Sequence, residues 1–600
     1  RRPPRSTLSS SSAASDVYKR QVKTSVPSNS NQDFYHLMWN CPDQTANLNM
    51  NWNELTIGGN VTIQNTGSAQ LEMSDPEAGK TAVVNISGDF IQSGGAFTAT
   101  ATNEANTVVV INHLGNIQIT EGDFSICRGS QGGSGTTTWN IQGNVFLENA
   151  TTQNSNTEGA KFVFCNAGNT QMLSISGVIF AGGGFPVEID SAVTLDMGTS
   201  VLQGEGSFHL NSGATLMCAH VDGIDGSVAS TGKREFDEGS NYVFNGALAQ
   251  FTGNLLPDNV RNLTINNSNG VTLSKNATVH GTLDVVDGSL SSGANVLSYG
   301  PGASLKYSGS TLQTTAADEF PVNNGPTNLV IANPRSVKLH DSRTIHFLDL
   351  QRKLDLGANT LTADTVSDAA YNAYVITTEG GVLKNSFVGE MEAFFPVGTN
   401  TYSPVWVKNS GTADAVNVGV ILDTLAPSDG NSLRIKWIIG EDIPGGGNYT
   451  IQFGWSTSQE GSAFKEDRES NARIYNLTDT TEAGSGDYTM QFSQIPYTLS
   501  RGGITDLGPF GIGGYASPTG IAENSEAVST HGILYPNYPN PFSDLTIIRF
   551  AISNQSFVSL KVYNIIGEEI VDLAGKMYSP GVHSEIFLSL IHISEPTRPY

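Results

Sequence analysis

The residues best suited to chemistry in this 600-residue chain are two histidines and two aspartates that lie near one another in the sequence. They are His209, His220, Asp222 and Asp225, and residues 220–226 read His-Val-Asp-Gly-Ile-Asp-Gly. Carboxylate and carbonyl oxygens in such a glycine-rich turn are the ligands that Ca²⁺ takes in proteins. Asp222 and Asp225 are therefore the candidate metal ligands, and Ca²⁺ is the one cofactor suggested. The alternative is a plain polar turn, because the spacing is not that of an EF-hand loop.

Motifs for other chemistry are missing from the sequence. The nucleophile elbow Gly-x-Ser-x-Gly, the zinc motif His-Glu-x-x-His and a phosphate-binding glycine loop do not occur. Of the short motifs found in polygalacturonases, only Arg434-Ile-Lys436 is present. The four cysteines form no Cys-x-x-Cys pair, which disfavours a zinc site. We therefore predict no catalytic residues and a protein that is not an enzyme.

The composition indicates many short strands joined by polar turns. Only 14% of the residues are charged, against roughly 25% in an average soluble protein, and 65 are glycine. The formal net charge of −25 repels nucleic acid and anionic membranes. No apolar run reaches the roughly 18 residues that a membrane-spanning helix needs. Nucleic-acid partners and transmembrane segments are therefore not expected.

A repeat organises the first half of the chain. Asn262-Leu-Thr-Ile-Asn-Asn267 recurs as Asn328-Leu-Val-Ile-Ala-Asn333, an offset of 66 residues from 262 to 328. Apolar and polar residues alternate within each segment, as expected of half-buried strands. We predict that residues 22–370 form a right-handed parallel β-helix in which one repeat spans about three coils. A series of antiparallel sandwiches is the alternative for the same strands.

The repeat fades before a region that is richer in aromatic residues. Regularly spaced strand patterns predict a β-sandwich over residues 371–515, followed by a linker over 516–534. The tryptophans of this region are assigned to the core rather than to a sugar-stacking surface. Residues Phe394-Phe-Pro-Val-Gly398 resemble a domain common in secreted surface proteins of Bacteroidota. That resemblance implies no activity.

The last region carries the most specific motif of the chain. Two stretches contain it, namely Tyr538, Pro539, Asn540, Pro541 and Phe542, then Leu560, Lys561, Val562, Tyr563 and Gly567. They resemble the type A C-terminal sorting domain of the type IX secretion system, an immunoglobulin-like sandwich. The resemblance implies export by that machinery and a location outside the cell or on its outer surface. The usual closing strand and basic tail are missing, so the domain over 535–587 is expected to be truncated.

Both ends of the chain resemble translated sequencing adapters. Ser11–Gln21 matches one adapter and Leu588–Arg598 matches the opposite one, in the correct orientations. Residues 1–21 and 588–600 are therefore expected to be foreign to the natural protein. On this interpretation the basic start of the chain is not a nucleic-acid-binding arm, and the true ends are lost.

Two functions remain open from the sequence. The first is a secreted or surface-anchored structural or adhesin-like protein with a β-helical stalk, which contacts an environmental or host surface. The alternative is a protein that binds or degrades extracellular polysaccharide along the side of the rod. Exposed aromatic residues and paired acids on one face would favour the alternative, whereas a plain Thr, Asn and Ser surface would favour the first.

Overall fold

Short parallel strands wind into a β-solenoid of about 15 turns over residues 37–398, so the predicted all-β class and β-helical body are confirmed. The computed structural model describes residues 23–28, 30–181, 183–424, 426, 430–514, 533–534, 537, 545–552, 555–564, 568–578 and 581–588. They belong to two units, which divide after residue 518. Of the adapter-like segments 1–21 and 588–600, all residues except Leu588 lie outside the described residues, as does most of the predicted linker.

The longest parallel sheet follows one side of the solenoid from coil to coil. Its strands are Leu37–Asn40, Val61–Asn65, Phe90–Thr100, Ile117–Cys127, Val145–Glu148, Thr170–Ser176, Thr194–Asp196, Thr215–Cys218, Asn241–Phe244, Asn262–Thr272, Thr282–Ser291, Ser304–Tyr307, Asn328–Ile331, Arg343–Leu350, Thr360–Ser367 and Val382–Val388. Shorter strands continue the coils beside it, at Leu48–Asn49, Gln70–Ser74, Ala150–Thr152, Ile179–Phe180 and Gln250–Phe251.

Separate parallel sheets complete the coils. The eight-stranded sheet, which we call the Asn wall, contains Glu54–Ile57, Thr81–Ile86, Val108–His113, Thr136–Ile141, Ala160–Phe164, Val187–Ile189, Phe208–Leu210 and Arg234–Phe236. A three-stranded sheet contains Asn259–Val260, Ala277–Val279 and Leu297–Tyr299. A five-stranded sheet contains Gln313–Thr314, Val337–Lys338, Leu354–Asp355, Val375–Ile376 and Val397–Gly398.

Stacked apolar side chains form the core of the solenoid. Leu263 pairs with Leu283, Leu283 with Leu305, and Leu305 with Leu329, and all four are fully buried. The step from Leu263 to Leu329 therefore spans three coils, which confirms the interpretation of the 66-residue repeat. Burying such a ladder removes apolar surface from water that a single strand could not hide alone.

The parallel pairing continues beyond residue 370, where the sequence places the end of the body. Val375–Ile376 pairs with Leu354–Asp355 on one side and with Val397–Gly398 on the other, all in parallel. The Phe394–Gly398 segment thus contributes to two structures, because Ala393–Phe395 belongs to the next domain. Because the aromatic residues of this segment are typical of the second domain, the sequence did not predict the last coil.

The predicted β-sandwich is present. One antiparallel sheet continues the solenoid strand Val382–Val388 with Asp414–Leu422, Ile435–Glu441, Pro509–Gly514, Ala472–Asn476 and Thr481–Glu482. The other contains Ala393–Phe395, Val405–Asn409, Tyr449–Trp455, Tyr497–Ile504 and Ser485–Gln491. Trp437 of the first sheet lies 4.9 Å from Phe453 of the second, between ring centroids, and both are fully buried.

Helices are few in the part of the chain that is described. The α-helices span Gly223–Ser227 and Ser462–Asn471, and 3₁₀ turns span Gln131–Gly133 and Thr457–Gln459. No helix there combines the length and apolar character needed to cross a membrane. Within the described residues none of the four cysteines forms a disulfide, and three of them are buried.

The described residues of the second unit form two small antiparallel sheets. One contains Ile533–Leu534, Leu545–Ile552 and Gly581–Leu588, and the other contains Ser556–Tyr563 and Glu569–Tyr578. Leu588 pairs with Leu545 and is the last residue described. Phe550, Leu560, Ala574 and Tyr578 form its small apolar core.

A ladder of Asn and Asp residues joins the turns of successive coils through hydrogen bonds. The N–H of Asn116 donates to Asp89 Oδ1 (2.8 Å), and the N–H of Asn144 donates to Asn116 Oδ1 (2.8 Å). A glycine precedes each of these residues and touches the coil before it. A Cβ atom on Gly115 would lie 2.2 Å from the carbonyl oxygen of Gly88. The turns therefore require glycine because neighbouring backbones touch.

Replacing Gly115 with alanine is expected to lower the free energy of unfolding of the solenoid by about 1–3 kcal/mol, the usual cost of overpacking. The clash is with backbone atoms, so a side-chain rotation cannot relieve it. Urea unfolding followed by circular dichroism measures the change. Gly389→Ala is the control, since its Cβ would meet only ordinary contacts, the nearest at 3.4 Å. Equal stability of the two variants would contradict the proposed role of the turn glycines.

Candidate functional site

Asp225, one of the two predicted metal ligands, joins neighbouring coils in the structure. Its Oδ1 accepts a hydrogen bond from the N–H of Leu255 (2.7 Å). Its Oδ2 accepts from the N–H and from the side-chain amide of Asn254 (2.9 and 3.1 Å). Three N–H donors thus bond to this carboxylate, which links two turns of the solenoid.

Asp222 lies at the surface beside His220. Its side chain is 68% exposed, and Oδ2 is 3.8 Å from His220 Nδ1. His209 is placed elsewhere, in the strand Phe208–Leu210 of the Asn wall. Across the described ranges, no group of three or more His, Cys, Asp or Glu residues is arranged to hold a metal ion. The Ca²⁺ site at Asp222 and Asp225 therefore stays a prediction.

A polar cluster that sequence analysis missed lies on the outer side of the Asn wall. Lys161 forms an ion pair with Glu188 Oε2, and Asn211 donates to both Glu188 Oε1 (3.2 Å) and Asp190 Oδ1 (3.4 Å). His209 pairs in register with Glu188 and lies 3.5 Å from Asp237. These residues come from successive coils, so only the coil register could have revealed the cluster.

The two carboxyl groups of this cluster differ in acidity. Burial tends to raise the pKa of Glu188, but Lys161 and Asn211 bond to its charged form and hold its pKa below the ordinary value of 4.5. Burial and the neighbouring charge of Glu188 raise the pKa of Asp190 above its ordinary value of 3.8. Two close carboxyl groups with opposite shifts are an arrangement that can supply a general base and a general acid.

Elsewhere on the outer side of the Asn wall, asparagine side chains of successive coils bond to one another. Asn112 donates to Asn85 (2.9 Å), and Asn140 donates to Asn112 (3.0 Å). The large aromatic residues of this region point inward, since Trp139 and Phe162 are fully buried. Their rings lie 5.9 Å apart between centroids and belong to an aromatic stack in the core. The solenoid therefore keeps these aromatic rings in its interior.

Part of the predicted sorting motif falls within the described second unit. Leu560, Lys561, Val562 and Tyr563 end the strand Ser556–Tyr563. Leu560 is buried in the apolar core of this unit, whereas Lys561 points outward and pairs with Glu569 (2.8 Å). Tyr538, Pro539, Asn540, Pro541, Phe542 and Gly567 lie outside the described residues.

One carboxyl group, Glu319, is sealed inside the body. Tyr307 donates to its Oε2 (2.7 Å), and the N–H of Leu290 donates to its Oε1 (2.8 Å). The residue is only 1% exposed. Burial raises the pKa of Glu319 to about 7, although both hydrogen bonds oppose the shift. The folded protein therefore holds this proton at pH values where an unfolded chain has released it.

Glu319 is expected to make stability fall as pH rises from about 4.5 to about 7. Its ordinary pKa is 4.5 and its folded pKa is about 7, so the folded state binds more protons in this interval. Because Glu319→Gln cannot titrate, its stability relative to the wild type should rise across the interval by at most about 3 kcal/mol. Urea unfolding at a series of pH values measures this difference. A difference that does not change with pH, or changes equally for the exposed Glu104→Gln control, would contradict the assignment.

The chain was compared with known proteins in three ways. No family model matches it, and no curated protein or solved structure matches it.

Proposed function

We propose that this chain is an exported surface protein whose solenoid serves as a structural or adhesin-like stalk. The observation that carries the proposal is the division of side chains between the two sides of the Asn wall. Its large aromatic residues fill the core, while Asn85, Asn112 and Asn140 bond to one another outside. Such a surface suits a rigid, water-compatible rod, and a β-helical fold is consistent with an adhesin-like role.

Export is supported by the C-terminal motif. Residues Tyr538–Phe542 and Leu560–Gly567 resemble the type IX sorting signal, which implies the type IX machinery as partner and the cell surface or medium as destination. The alternation of Leu560 and Lys561 between core and solvent agrees with a sandwich strand. The export route is thus part of the proposal.

A secretion assay tests this route. The chain is given a cleavable signal peptide, and residues 588–600 are replaced by the closing segment of a sorting domain from the host. We expect this fusion to reach the surface or the medium of a Bacteroidota host with a working type IX system. In a strain that lacks the outer-membrane pore, the fusion should stay in the periplasm. Protease treatment of intact cells and immunoblotting of the medium measure the distribution.

Alanine replacement of residues 538–542 should abolish export of the same fusion. The matched control is Thr264→Val, which alters an outward residue of the solenoid and should be exported normally. Export from the pore-deficient strain, or export unaffected by the alanine replacement, would refute the proposed route.

The carboxyl pair Glu188 and Asp190 favours a second candidate, a protein that acts on polysaccharide. Both groups bond to the same nitrogen of Asn211, so they lie close enough to serve one scissile bond. Glycoside hydrolysis requires such a pair, with one carboxyl protonated and the other charged. The opposite pKa shifts of the two residues agree with that requirement.

On the second candidate, the protein should release reducing ends from an extracellular polysaccharide. Glu188→Gln and Asp190→Asn should each reduce that release at least about 100-fold, the usual effect of losing an acid or base. Glu235→Gln, on the same wall, serves as the control and should keep the activity. An absence of release from a broad panel of polysaccharides would leave the stalk function alone.

A further inference from the structure

The late coils of the solenoid contain a small cleft. It has a volume of about 240 Å³ and lies between residues 321–326 and the outer side of the coils at 342–344 and 360–362. We call residues 316–326 the strap. The cleft is smaller than the roughly 300–1,000 Å³ pockets that hold drug-sized ligands. It offers room for one ring-sized group rather than for a folded segment of another protein.

The strap is fixed to the body at two adjacent residues. Glu319 is buried with Tyr307 and Leu290, and the Phe320 side chain is also only 1% exposed. The guanidinium of Arg343 binds the strap from the other side, since Nε donates to the carbonyl oxygen of Phe320 (2.7 Å). The cleft is therefore preformed, so a ligand would not have to order the loop.

Arg343 is one of the residues that line the cleft, and it brings little net charge to it. Its side chain is only 4% exposed, and Nη1 donates to Asp341 Oδ2 (3.1 Å) and to the carbonyl oxygen of Ser342 (2.8 Å). Nη2 lies 2.6 Å from His340 Nε2. Four of the five N–H donors are thus engaged, and Asp341 balances the charge. With a formal net charge of −25 on the chain, the cleft does not favour an anionic ligand.

The two sides of the cleft differ in chemistry. Thr344 and Thr362 lie opposite each other on adjacent coils, with their side chains on the outer side. On the strap side stand Pro321, Val322 and Pro326, and Val322 is 76% exposed. One side therefore offers hydroxyl donors and acceptors, and the other offers apolar C–H surface.

We propose that the cleft binds one neutral sugar unit of an extracellular polysaccharide. A pyranose ring has hydroxyl groups around its edge and C–H groups on its faces, which match the threonine side and the strap side respectively. The hydroxyls of Thr344 and Thr362 would bond the ring edge, and Pro321, Val322 and Pro326 would cover one face. This inference rests on the proposed adhesin-like function and names the class of target that such a protein would hold.

Saturation-transfer difference NMR on the full chain tests the inference. The probes are the methyl glycosides of glucose, galactose and mannose, with glucuronate as the charged comparison. We expect saturation transfer to at least one neutral glycoside and a weaker signal from glucuronate. The double variant Thr344→Val, Thr362→Val should bind that glycoside at least tenfold more weakly, because valine keeps the shape and removes the hydroxyl. Thr264→Val, on the outer side of the same sheet, should bind as the wild type does.

Circular dichroism and thermal unfolding establish that the double variant is folded, so a loss of binding reports on the hydroxyls. Equal binding by the double variant and the wild type would overturn the proposal, as would a preference for glucuronate. The absence of transfer to every neutral glycoside would overturn it too. The secretion assay uses no sugar, so export without sugar binding would remove this inference and leave the surface function standing.

Discussion

The stacking of one coil on the next is the constraint on which the whole body depends. Each coil pairs its backbone with the coils before and after it, at the spacing of about 4.8 Å that β-pairing imposes. Apolar residues such as Leu263, Leu283 and Leu305 must therefore stand directly above one another. The turns of neighbouring coils must approach each other to the same distance, which explains why the backbones of Gly88 and Gly115 touch there. The ladder of inward apolar residues and the glycines in the turns both follow from this one repeat distance.

The same stacking decides where chemistry can appear on the surface. Residues that are neighbours in space are usually one coil apart in sequence, as Lys161 and Glu188 are, or Thr344 and Thr362. Asparagines at outward positions of successive coils bond to one another, as Asn85, Asn112 and Asn140 do. A different surface arises where charged residues occupy successive coils, as around Glu188, or where a loop leaves the coil and returns, as the strap does. The Glu188–Asp190 pair and the cleft beside the strap are thus local departures from the repeat.

Sequence analysis succeeded where the information is local and periodic. Alternation within Asn262–Asn267 and its recurrence at Asn328–Asn333 were enough to predict the strands, their inward faces and a three-coil repeat. It failed where the answer depends on coil length. One coil takes 17 residues, from Val337 to Leu354, and another takes 29, from Val61 to Phe90. With such variation, the pairing of Glu188 with Lys161 and Asn211 could not be read from spacing. Nor could the role of Asp225, whose partners lie about one coil further along the chain.

The structure at the end of the solenoid explains why this boundary could not be predicted from the sequence. An exposed strand edge invites pairing with other chains, so a stack of parallel strands needs a cover at its last coil. Here Val382–Val388 pairs in parallel with Thr360–Ser367 on one side and antiparallel with Asp414–Leu422 on the other. A sheet of the solenoid thereby becomes a sheet of the sandwich without a break in hydrogen bonding. The Phe394–Gly398 segment makes the same transition, with Phe395 in the sandwich and Val397 in the last coil. The aromatic composition that marks the second domain therefore begins before the first has ended, because the sandwich is built as the cap of the rod.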